Sequence, residues 1–93
     1  MKILAVSTNL SDPTPYLAEE MQKMSELQRS GVVERLLLKA DRSGAVLVLE
    51  APDPEAARSA VGTLPLAQHG VTEFTFTTLI DPAVELARLD QPS

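Results

Sequence analysis

The chain has 93 residues, 44% hydrophobic and 23% charged, which is typical of one small globular domain. Its net charge of −5, with only one tyrosine and two phenylalanines, argues against binding nucleic acid or anionic lipid. The absence of cysteine and the single histidine exclude zinc-thiolate and thiol chemistry, so we predict no metal site. No apolar run approaches the roughly 20 residues of a membrane span, and Met1–Val6 is too short for a signal peptide. We therefore expect a cytoplasmic protein without membrane contact.

The first third of the chain predicts a strand over residues 2–8 and a helix over residues 16–30. The apolar residues of that helix recur at helical spacing and predict one buried stripe: Leu17, Met21, Met24 and Leu27. Its charged residues are expected to form a solvated face: Glu19, Glu20, Lys23 and Glu26.

The segment Gly31–Ala51 predicts a hairpin, because two aliphatic strands flank the polar turn Asp41-Arg42-Ser43-Gly44. A four-residue turn pairs Ala40 with Ala45 and places Arg35 opposite Glu50, whereas a three-residue loop with a bulge shifts this register. One face of the hairpin is purely aliphatic and should pack against helices: Leu36, Leu38, Leu47 and Leu49. The other face also carries aliphatics, which indicates a sheet that is covered on both sides.

The second half of the chain predicts a helix that begins at Asp53-Pro54, a connector over residues 63–70 and a last strand over residues 71–80. The domain then covers residues 1–82, and residues 83–93 form a short helical tail. The order β-α-β-β-α-β predicts an α+β fold in which both helices cover one face of a four-stranded antiparallel sheet. Because the other face is apolar but bare, we expect a homodimer through the sheet faces.

Residues 26–80 resemble muconolactone isomerase and its relatives. The resemblance rests on the order of elements, the segment ELQRSG at residues 26–31, Leu64-Pro65-Leu66 before the last strand, and Asp81-Pro82 after it. It implies a ferredoxin-like protomer that pairs into a dimeric α+β barrel, open to assembly into a higher homo-oligomer. It also implies work without a cofactor on a small organic ligand, such as a lactone or a carboxylate. It transfers no catalytic residue.

Four residues are candidates for a site. His69, the only histidine, lies in the 63–70 connector and could act as a base, although an exposed loop histidine is the simpler interpretation. Arg35 could bind a carboxylate with Glu50 as a base, or the two could form a structural ion pair. Tyr16 could line a pocket between helix and sheet, or simply pack there.

Two functions remain open at this point. The first is a cofactor-free isomerase that acts on a small organic molecule. The second is a non-catalytic module for small-molecule binding or assembly on the same barrel. A pocket with converging titratable groups would favour the first, and a closed aliphatic interior the second.

Overall fold

The computed structural model describes residues 1–84, so most of the predicted tail over residues 83–93 lies outside the described residues. Within residues 1–84 the chain forms β1 (Lys2–Asn9), α1 (Leu17–Arg29), β2 (Val33–Leu38), β3 (Ala45–Glu50), α2 (Pro54–Val61), α3 (Pro65–Gln68) and β4 (Thr72–Leu79). A 3-10 turn, Thr14–Tyr16, precedes α1. The predicted order is confirmed, and the predicted connector contains the short helix α3.

The strands form one antiparallel sheet in the order β2-β3-β1-β4. β1 therefore lies in the centre, where Ile3 pairs with Leu49 on one side and with Thr78 on the other. Helices α1 and α2 pack on the same face, since Met24 of α1 and Ala57 of α2 belong to the core that contains Ile3 and Leu49. This confirms the predicted α+β class with its ferredoxin-like arrangement.

The hairpin between β2 and β3 differs from the prediction by two residues in register. Leu38, not Ala40, lies opposite Ala45, because Asp41 accepts hydrogen bonds from the Ser43 backbone N–H at 3.0 Å and hydroxyl at 2.6 Å in a longer turn. Arg35 follows the same register and lies opposite Val48, and a bulge then separates it from Val33, which lies opposite Leu49. The expected Arg35–Glu50 pair is wrong, but a shift of two residues leaves every side chain on its predicted face.

The predicted burial of the aliphatic face is confirmed only in part. Leu47 and Leu49 are fully buried, whereas Leu38 is 71% exposed. On α1, Met24 is buried but Met21 is 61% exposed. The physical reason is that the first half of α1 does not close over this part of the sheet, and a cavity opens between them.

Candidate functional site

The cavity lies between the first half of α1 and the sheet, and its volume is about 450 Å³. This volume is within the range of small-molecule sites, about 300–1,000 Å³. Most of its wall is apolar and includes Leu17, Met21, Leu36, Leu38, Leu47 and Phe74. Leu38 and Met21 were expected in the core, but they belong to the wall of this cavity.

Polar groups enter this cavity at the end of the sheet where β1 stops. The Ser7 hydroxyl accepts a hydrogen bond from the Ala45 backbone N–H at 2.7 Å. The Asn9 side-chain carbonyl accepts a hydrogen bond from the Thr72 hydroxyl at 2.7 Å. These bonds join the ends of three strands, β1, β3 and β4, and fix the polar end of an otherwise apolar wall.

Among the described residues that line the cavity, Glu20 is the one that carries a carboxyl group. Its side chain is only 8% exposed, and its Oε1 accepts a hydrogen bond from the Leu66 backbone N–H at 3.0 Å. Burial raises the pKa of Glu20 above its ordinary value, and the Leu66 bond offsets only part of this effect. A carboxyl group with a raised pKa is a stronger base than an exposed glutamate, which suits it to proton transfer.

Arg42 is the arginine among the described residues that line the cavity. It lies in the hairpin turn with a φ of 62°, and its carbonyl oxygen accepts a 3.5 Å hydrogen bond from the Asn9 amide. Its guanidinium forms no ion pair with another residue of the described part. The turn thus contributes an arginine to the lining of a cavity that Glu20 also lines.

The structure brings two of the predicted site residues together. The rings of Tyr16 and His69 stack with their centroids 4.3 Å apart and their planes 21° apart. Tyr16 is half-buried and His69 is exposed. Neither lines the cavity, although Thr14 and Leu17, the close neighbours of Tyr16 in the chain, both do.

Glu50 and Arg35 lie elsewhere on the sheet. Glu50 is at the far end of β3, about 17 Å along the strand from Ala45, which lines the cavity. Its carboxylate binds the Met1 ammonium at 2.8 Å and the Lys2 ammonium at 3.2 Å. The hydrogen bond from the Met1 ammonium and that from Lys2 hold the pKa of Glu50 below its ordinary value, which makes it a weaker base. Arg35 is exposed on the strand β2, opposite Val48.

Neither charged residue of the cavity was predicted from the sequence. Glu20 was expected in solvent, but it occupies the apolar stripe, because Leu17, Glu20, Met21 and Met24 follow the spacing i, i+3, i+4, i+7. This spacing was the available signal. No comparable signal marks Arg42, since a polar turn accommodates arginine without any ligand.

The described residues contain no cluster of three or more histidine, cysteine, aspartate or glutamate side chains suited to a metal ion. Over the same part of the chain, every helix is too short or too polar to cross a bilayer.

The fold and the cavity define a class: a ferredoxin-like α+β domain with a small-molecule-sized cavity under its first helix. A crystal structure of muconolactone isomerase matches with a TM-score of 0.73 and 25% identity, over 87% of this chain and 90% of that one. A 5-chloro-2-hydroxyhydroquinone dehydrochlorinase from Burkholderia phenoliruptrix, in complex with 2,5-dihydroxybenzoquinone, has the same fold, with a TM-score of 0.69 and 16% identity over 86% of this chain and 94% of that one. No protein-family model and no curated protein matches the chain. The chain therefore has a muconolactone isomerase-like α+β fold.

Proposed function

We propose that this protein is a cofactor-free isomerase that shifts a proton within a small lactone or carboxylate. The observation that carries the proposal is the buried Glu20 carboxyl group, with its raised pKa, in an apolar cavity of ligand size. The structural likeness to muconolactone isomerase supports the same class of reaction.

In the proposed reaction Glu20 removes a proton from the γ carbon of a ligand in which a C=C bond is conjugated to a carbonyl group. The electron pair of the C–H bond moves through the C=C bond into a dienolate, whose negative charge Arg42 stabilises. Glu20 then returns the proton to the carbon beside the carbonyl group, so the double bond moves and no electron is gained or lost. The hydrogen bond from Leu66 holds one carboxyl oxygen, which leaves the other to transfer the proton.

The four residues proposed from the sequence keep their roles as predictions, with different structural support. His69 and Tyr16 lie next to elements that line the cavity, so a base at His69 and ligand contact at Tyr16 remain compatible with this site. Glu50 and Arg35 do not line it, and a role for them requires a ligand on another part of the sheet.

The proposal can be tested with muconolactone as the probe, in D2O, by proton NMR. We expect deuterium to enter the carbon beside the carbonyl group and the double bond to move, at a rate that rises with pH through a pKa above the ordinary glutamate value. Glu20→Gln should lower this rate by about 10²- to 10⁴-fold, the usual contribution of a general base. Glu19→Gln is the matched control, because Glu19 is an exposed neighbour on the same helix. Full activity of the Glu20 variant would contradict the mechanism.

The second candidate function is a non-catalytic small-molecule-binding or assembly module. The observation that favours it is that the described lining offers one carboxyl group in a mainly aliphatic wall, without a second acid. Binding of muconolactone in a titration, with no deuterium incorporation by the wild-type protein, would support this function over catalysis.

We also propose a homodimer through the sheet face opposite the helices, with a cytoplasmic location as expected from the composition. The support is the apolar character of that face in the described protomer. Leu4, Val6, Val46 and Val48 are only half-buried there, and Leu37 is 49% exposed. A second copy would cover these side chains, and assembly beyond the dimer remains part of the same proposal.

A further inference from the structure

Helix α3 is attached to α1 at both of its ends. At its start, the Leu66 backbone N–H donates to the Glu20 carboxylate at 3.0 Å. At its end, His69 follows the last turn and stacks on Tyr16, which immediately precedes α1. The two attachments differ in kind, since one is a hydrogen bond to a buried charge and the other is a stack at the surface.

The segment between these attachments is short and internally fixed. The His69 backbone N–H donates to the Pro65 carbonyl at 2.9 Å, and the Val71 N–H donates to the Leu66 carbonyl at 2.9 Å. Gly70, with a φ of 68°, turns the chain into β4. A displacement of His69 would therefore be transmitted to Leu66, because only one compact turn separates them.

We infer that the Tyr16–His69 stack is a latch that holds α3 against α1 and thereby positions the Glu20 carboxyl group at the cavity. In this inference Tyr16 and His69 are positioning residues, which act through the Leu66 N–H. This inference rests on the proposed function only in giving Glu20 a catalytic role; the latch itself is a property of the protein without ligand.

Two arguments favour this role over simple packing. His69 is exposed and Tyr16 only half-buried, so the stack contributes little to the closed core. The amide that it holds in place, however, donates to the carboxylate of Glu20, a residue that is only 8% exposed. A buried carboxylate that loses a hydrogen bond is left poorly solvated, which is costly. A displacement of the Leu66 N–H that begins at the surface stack therefore has a large effect on the Glu20 carboxylate.

Amide hydrogen exchange at Leu66, measured by NMR on the full chain without ligand, tests the latch. His69→Ala and Tyr16→Ala should speed this exchange about three- to tenfold, as expected when one stacked aromatic pair is lost. His69→Phe and Tyr16→Phe keep a ring at each position and should restore slow exchange. The Ala56 amide, which donates to the Asp53 carboxylate at 2.7 Å in α2, is the internal control and should not change.

Unchanged Leu66 exchange in both alanine variants would overturn the inference. So would fast exchange in both phenylalanine variants, because the rings would then not act by stacking. These results are read without a substrate, and they decide on the latch even if the wild-type protein fails to isomerise muconolactone. Where it does turn over, the alanine variants should lower kcat and the phenylalanine variants should restore it.

Discussion

At the scale of single residues, the ionised Glu20 side chain should lower the unfolding free energy of the protein, because a buried group placed for catalysis is often unfavourable for stability. Its pKa in the folded protein is raised, so the folded state binds this proton more tightly than the unfolded state. Protonation therefore favours folding, and this contribution is lost as the pH rises through the raised pKa. Glu20→Gln should be more stable than the wild-type protein at neutral and higher pH, since the amide oxygen can still accept the Leu66 bond.

The measurement is urea unfolding of both proteins from pH 4 to pH 8. The difference in unfolding free energy between the two proteins should be small at the acid end. It should increase between the ordinary and the raised pKa of Glu20 and stay constant at higher pH. Glu19→Gln, at an exposed position, reports the effect of removing a charge alone. A Glu20→Gln protein that is less stable than wild type at pH 8 would show that the carboxylate is stabilising.

Gly44 is a second residue whose substitution has a defined effect. It is buried where the hairpin approaches β1, and a Cβ atom there would overlap the Ser7 carbonyl oxygen. Gly44→Ala should therefore cost about 1–3 kcal/mol of unfolding free energy, measured by thermal or urea unfolding. Gly62→Ala is the control, because Gly62 has a helical φ of −63° and an added Cβ atom would lie 3.1 Å from its nearest neighbour, the Arg58 carbonyl oxygen, against 1.9 Å at Gly44. Equal stability of the two variants would contradict the close approach.

At the scale of elements, the strand β3 and the edge strand β2 should respond differently to truncation. Leu47 is fully buried in the core, so Leu47→Ala should cost about 2–5 kcal/mol. Leu38 is 71% exposed at the cavity, and Leu38→Ala should cost less than about 1 kcal/mol. Urea unfolding of the two variants measures both values. Similar losses in both would mean that the cavity is closed in solution.

The sequence predicted the elements well because hydrophobic period and turn residues act locally. It predicted the faces of the hairpin correctly even with the wrong register, since a shift of two residues preserves them. It offered a pocket between helix and sheet only as one interpretation of Tyr16, because the apolar stripe of α1 was expected to be buried along its whole length. For the same reason Glu20 was expected in solvent. A glutamate within an apolar stripe can be assigned to a site only when the cavity beneath the helix is known.

At the scale of the whole molecule, Val48 should decide whether the proposed dimer is obligatory. Its side chain lies on the open face of the sheet, where a second copy would bury it. Val48→Asp should abolish the dimer and unfold the protein, because an unpaired buried carboxylate is costly. Light scattering over a dilution series and circular dichroism provide the measurement. Gln22→Asp, at an exposed position of α1, should leave both unchanged. A folded, monomeric wild-type protein at nanomolar concentration would exclude an obligatory dimer.

The central position of β1 also has a consequence for biosynthesis. This strand leaves the ribosome before its neighbours β3 and β4, and it pairs with both of them. The β2-β3 hairpin can form from local contacts, but the middle of the sheet remains open until β4 has been made. The nascent chain therefore exposes β1 with two free edges until β3 has been made, and with one free edge until β4 has been made. A chain cut before residue 72 should leave β1 with one edge unpaired, and it should be a good substrate for chaperones and proteases.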